Sequence, residues 1–209
     1  MPLLLCLVAA VAAPAQFISN DSYTRYELLA PESHQFKIYY EVTQTIPGAR
    51  YFFNPIRPGS ESTDEAVYDV ATGKPLKFEV VTGAQAKSDM PSEDFKPEDK
   101  YIKVFLAHPV PPRGEYRIRI DKTYKDAKSY YVEGDHIVFK RGLGIPRNSV
   151  VLPPGFEVTS CSVATQVLQE PDGRLKLAFV NAGSGGQLEV AITARRLPAE
   201  PAKREASGR

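Results

Sequence analysis

From Gln35 to Thr43 apolar and polar side chains alternate one for one: Phe36, Ile38, Tyr40 and Val42 fall on one face, and Gln35, Lys37, Tyr39 and Glu41 on the other. A half-buried strand requires this period of two, because successive side chains of an extended backbone point to opposite sides of the sheet. The rhythm returns along the chain. Ile102, Val104 and Leu106 share a face within Tyr101–Leu106, and Tyr116, Ile118 and Ile120 share one within Gly114–Tyr124, with Arg117, Arg119 and Asp121 opposite. Tyr23–Leu29, Arg50–Phe53, Phe156–Val163 and Leu188–Arg195 also read as strands, and no run of helical period exceeds two turns. About a dozen short strands separated by turn signals at short intervals predict an all-β fold, an antiparallel β-sandwich. It forms either one continuous structure or two packed sandwich lobes meeting near residues 125–129.

The turns carry their own chemistry. In Glu170-Pro171-Asp172-Gly173, Pro presets the first turn dihedral, Asp bonds its own backbone and Gly accepts positive φ. That makes Gln166–Gln169 and Arg174–Val180 the arms of a hairpin. Ser129–Val132 and His136–Lys140 pair across Glu133-Gly134-Asp135, and Glu65–Val70 pairs with Lys74–Val81 across Ala71-Thr72-Gly73. Arg57–Asp64 is loop by composition, and Gly142–Arg147 is a proline-bounded corner. Thr82–Lys100 is a long polar connection, either a mobile flap or a functional loop, with one helical turn around Ser92–Phe95 capped by Ser92.

With 209 residues, 43% of them hydrophobic, the chain can bury a substantial core. A formal net charge of +1 provides no field to gather nucleic acid or an anionic bilayer, so neither is expected as a partner. Met1–Gln16 is an apolar segment that ends in Ala13-Pro14-Ala15, the small-x-small pattern of an export signal cleaved before Gln16. Residues 17–197 form the β domain, and 198–209, rich in Pro, Ala and charge, a disordered tail. Only Cys6 and Cys161 are present. Cleavage removes the first and leaves no disulfide, which suits the periplasm or cell surface of a bacterium. Cys161, on a strand, is expected to be a small buried apolar side chain.

Catalytic motifs are missing. His34, His108 and His136 are far apart, and none has the helical i,i+4 partner that an HExxH zinc site uses. Ser184 in Gly183-Ser184-Gly185-Gly186 lacks the strand-to-helix context of an exposed nucleophile. Gly142-Leu143-Gly144 opens like a dinucleotide fingerprint, but Pro146 and the absent third glycine spoil it. No catalytic residue, metal ligand or cofactor is therefore implied. Arg117, Arg119 and Lys122 with Tyr124, Tyr130 and Tyr131 form a basic, aromatic stretch, the candidate interaction surface for a protein or a carbohydrate.

Four segments together resemble the N-terminal β domain of the M1-type metallopeptidases. They are the hairpin of Asp69, Thr72, Gly73, Lys74 and Leu76; the strand and proline corner Ile102–Gly114; the Ile118, Ile120, Tyr124 strand; and Leu152-Pro153 followed by Gly155–Val158. The resemblance covers most of Tyr23–Arg195 and implies a saddle-like antiparallel β scaffold. The zinc motif of that family's catalytic domain is not in this sequence, so no catalytic residue carries over. The expected function is that of a non-catalytic exported β-sandwich protein acting by protein–protein contact, as an accessory subunit of an envelope or membrane complex. The alternatives are a carbohydrate- or ligand-binding module, and a hydrolase with an unrecognised site.

Overall fold

A computed structural model describes residues 21–91, 93–182 and 186–198. The apolar segment Met1–Gln16 with Cys6, the cap residue Ser92, the loop serine Ser184 and the tail beyond residue 198 lie outside the described residues. The strands are β1 (Tyr23–Leu28), β2 (Gln35–Gln44), β3 (Tyr51–Pro55), β4 (Glu61–Asp69), β5 (Phe78–Thr82), β6 (Lys100–Phe105) and β7 (Tyr116–Lys125). They continue with β8 (Tyr130–Glu133), β9 (His136–Leu143), β10 (Arg147–Val151), β11 (Phe156–Cys161), β12 (Gln166–Gln169), β13 (Leu175–Val180) and β14 (Leu188–Arg196), and the helix α1 spans Gly83–Asp89.

These strands make three sheets: a seven-stranded one ordered β12-β13-β10-β1-β2-β7-β4, a four-stranded one ordered β11-β14-β9-β8, and a three-stranded one ordered β3-β6-β5. The alternation of β7 fixes how they stack. Tyr116, Ile118 and Ile120 join Val42 and Val67 in a core against Ile102 and Val104 of the three-stranded sheet. Tyr124, in the same phase of the same strand, joins Tyr26, Phe36 and Ile38 in a second core against Ile137, Phe139, Val190 and Ile192 of the four-stranded sheet. Both small sheets therefore pack on one face of the long sheet, side by side, and Tyr40 and Ile56 touch both cores at the seam. The result is the expected all-β sandwich in more than one lobe, with strands from either side of residues 125–129 sharing the long sheet.

The opposite face of the long sheet is a lattice of charge pairs. Arg25 binds Glu27 at 2.7 Å and Glu170 at 3.2 Å, Lys176 binds Glu170 at 2.8 Å, and Arg117 bridges Asp21 and Glu41.

Three local readings change. Strand β10 pairs with β1 in parallel and with β13 in antiparallel fashion, a central position that makes it buried from Asn148 to Val151. Second, the Ala71-Thr72-Gly73 turn forms, with Gly73 at φ 69° donating to Asp69 O at 2.8 Å, but its arms separate. Only the Tyr68–Pro75 bridge persists, with Asp69 N–H donating to Lys74 O at 2.9 Å and Leu76 N–H to Val67 O at 2.8 Å on either side of it, and β5 pairs with β6 instead. Third, Glu61–Asp64 belongs to β4 rather than to a loop. It forms a polar edge of the long sheet, interrupted by a bulge between Thr63 and Ala66 where Asp64 takes φ 56°.

The Thr82–Lys100 connection is anchored. Its helix is α1, capped by a reciprocal Thr82–Gln85 box, whereas Glu93–Phe95 are not helical. Phe95 lies 4.9 Å from the ring of Phe53 and 5.1 Å from that of Tyr101, closing a third small core with Val81 and Ala86. Gly83 is what lets the segment fold back. A Cβ there would stand 1.9 Å from the carbonyl oxygen and 2.6 Å from the carbonyl carbon of Lys96. Gly83→Ala is therefore expected to cost ~1–3 kcal/mol, read either as a lower urea midpoint or as new tryptic cleavage at Lys87 while the sheets stay folded. An unchanged midpoint with no new cleavage would contradict this packing.

Candidate functional site

The seam between the two small sheets opens into a cleft of about 410 Å³. Its floor is the inner face of the long sheet, represented by Thr24, Tyr26, Ile38, Tyr40, Lys122 and Tyr124. One wall comes from the end of β3, at Asn54 and Ile56, and the other from the end of β9, at Arg141 and Leu143.

Two cations are buried there, Lys122 at 6% and Arg141 at 7% exposure. Lys122 reaches the floor because it continues the inward phase of Tyr116, Ile118 and Ile120. Its ammonium donates to Asn54 Oδ1 at 2.5 Å and lies 4.9 Å from the Tyr124 ring. Burial, reinforced by the nearby positive charge of Arg141 and opposed by Glu65, lowers its pKa to about 8. Arg141 is held differently. It donates to Asp126 Oδ2 at 3.2 Å and to Ser129 Oγ at 3.3 Å, and its guanidinium lies 5.4 Å from the Phe36 ring and 5.5 Å from that of Tyr124. Asp126 also accepts from Ser129 Oγ at 2.6 Å and from the backbone N–H groups of Lys128 and Ser129. Thr24 Oγ1, also buried, has no hydrogen-bond partner among the described residues.

The six residues picked out from the sequence do not form one surface. Lys122, Tyr124 and Tyr130 point into the protein, with Tyr130 fully buried and its hydroxyl donating to Leu29 O at 2.8 Å. Arg117 and Arg119 lie on the outer face, where Arg119 pairs with Asp121 at 3.0 Å and covers the Tyr68 ring at 4.6 Å. Tyr131 is half-buried on β8. Proximity in sequence groups residues whose alternating phase sends them to opposite faces, and Tyr124 and Tyr130 are buried rather than exposed. Arg141 and Asn54 were missed, because only pairing between distant strands brings them to Lys122.

His34, His108 and His136 remain apart. His34 Nδ1 meets Tyr130 O at 3.0 Å, the His108 ring lies tilted 4.9 Å from that of Tyr116, and His136 pairs with Asp135 at 2.5 Å. Among the described residues no group of three or more His, Cys, Asp or Glu side chains is placed to hold a metal ion. Cys161 is half-buried at the edge of the larger core.

The fold defines the chain as an all-β domain of two short sheets mounted on one long sheet. That architecture is similar to part of the M1 zinc metallopeptidase from Deinococcus radiodurans, with a TM-score of 0.50 at 10% identity, covering 83% of this chain and 41% of that one. A mutant of that enzyme superposes with a TM-score of 0.51 over the same shares. An aminopeptidase N family protein from Idiomarina loihiensis gives 0.48 at 10% identity, over 83% of this chain and 29% of that one. The chain thus spans well under half of the solved chains it resembles, and the weak resemblance noted in its motifs extends to the fold. No protein-family model matches the sequence, and no curated protein is significantly similar to it.

Proposed function

We propose that this chain is a non-catalytic β scaffold that acts by contact with another polypeptide, in the periplasm or at the cell surface, as an accessory part of an envelope or membrane complex. The carrying observation is the free edge of the long sheet at β12. All four residues of that strand are exposed, with Val167 at 46% and Leu168 at 36%. A free edge presents unpaired backbone groups, and natural proteins usually guard it with charge or proline. Here Gln166-Val167-Leu168-Gln169 carries neither, so an added strand gains a hydrogen-bond ladder and two apolar contacts. The similarity to a portion of longer chains supports the same reading, since a β domain of this type is joined to further polypeptide there. The export signal read in Met1–Gln16 supports the location.

The test is a mild-detergent pull-down from the native host, with the parent chain and a V167K/L168K variant. A polypeptide recovered in stoichiometric amount with the parent and lost from the variant is the expected result. A parent chain recovered as a monomer without a partner, or a partner retained equally by the variant, would count against the proposal.

A further inference from the structure

The seam cleft has no part in an edge contact at β12, and it contains an unresolved electrostatic demand. Lys122 forms no ion pair with any described residue, and its single hydrogen-bond partner is the neutral amide of Asn54. A buried ammonium without a paired counter-ion is costly, and the repulsion from Arg141 exceeds the attraction of Glu65. Arg57 is a third cation of the cleft lining, against the single carboxylate of Asp99. The surrounding surface is apolar, formed by Ile38, Tyr40, Ile56 and Leu143, and the cleft's volume suits a ligand of modest size.

We propose that this cleft binds a small organic carboxylate, whose anionic end meets the Lys122 ammonium beside Asn54 and whose apolar body lies along Ile38, Tyr40 and Ile56. The carboxylate supplies the charge partner Lys122 lacks, and the apolar lining accepts a hydrocarbon chain that a bare inorganic anion would leave unmatched. Thr24 Oγ1, buried in the same lining without a partner among the described residues, is a further polar group positioned at the floor.

Hexanoate and its uncharged analogue hexanamide are suitable probes, titrated at matched ionic strength while the side-chain methylene resonances of Lys122 are followed by NMR. Hexanoate is expected to produce a saturable shift at Lys122 that hexanamide does not. A charge-assisted hydrogen bond in a desolvated site makes the affinity for hexanoate about 10- to 100-fold weaker in K122M. The control with hexanamide uses the parent protein, so the test does not depend on the variant. Equal responses to the two probes, no saturable shift with hexanoate, or unchanged affinity in K122M would each overturn the proposal.

Discussion

Replacing Asp126 with Ala is expected to lower the unfolding free energy by ~3–5 kcal/mol, the range found when one partner of a buried ion pair is removed. Asp126 lies in the turn between β7 and β8, where its carboxylate accepts from Arg141, from the Ser129 hydroxyl and from two backbone N–H groups. Without it, Arg141 keeps its charge among the rings of Tyr26, Phe36 and Tyr124 and loses its counter-ion. The second substitution Arg141→Met removes the stranded charge and leaves a side chain that suits an aromatic cage, so D126A/R141M should recover much of the loss. Urea unfolding of parent, both single variants and the double variant measures the coupling. A loss under about 1 kcal/mol for D126A, well below the range for a broken buried pair, or no recovery in the double variant, would contradict this account. The pair also has a pH signature. Burial pushes the Asp126 carboxyl up, but hydrogen bonds from Ser129 and the charge of Arg141 outweigh it and hold the carboxyl below its usual range. Its stabilisation is therefore fully present above the unfolded value near ~3.9 and is lost as pH falls through the lower folded value.

Which parts of this fold could be read from sequence depends on burial geometry. Strands with one face buried, such as β2 and β7, alternate and were visible, as were turns in which Gly134 and Gly173 take positive φ. Strand β10 was not, because a strand between two neighbours and buried from Asn148 to Val151 shows no period, and its first residue, Arg147, reads as the end of the Gly142–Arg147 corner. Helix α1 could have been found. Thr82-x-x-Gln85 is the capping-box pattern, and Ser92 offers a second cap within the same polar segment. The cleft lay beyond local reading. Lys122 and Tyr124 follow the phase of Ile118 and Ile120, which points them inward, although their basic and aromatic character reads as an exposed interaction surface. What they meet depends on β3 and β9, brought together only by nonlocal sheet packing.

That same inward phase makes Lys122 the source of the second large effect, which appears as a change of stability with pH. Its folded pKa of about 8 lies below the ordinary 10.5, with burial as the first cause and Arg141 as the second. Between those two values the unfolded chain holds a proton that the folded chain has released, so stability rises with pH across that window. Below about pH 8 the ammonium is charged in both states and its full desolvation cost weighs on the fold. The gap corresponds to on the order of 3 kcal/mol. Lys122→Met removes the titration, so the stability of the variant relative to the parent should be greatest at pH 7 and should fall by that amount towards pH 10.5. Any constant penalty from leaving Asn54 Oδ1 without its donor shifts both ends equally and leaves the slope intact. Tyr26 and Tyr124, whose pKa values burial raises above 10, titrate in both proteins and largely cancel in the comparison. Urea unfolding of the pair at pH 7, 8.5 and 10 decides the matter. A difference that stays flat across that range would mean that the Lys122 ammonium is solvated, and with it would go the electrostatic reason for a carboxylate in the seam.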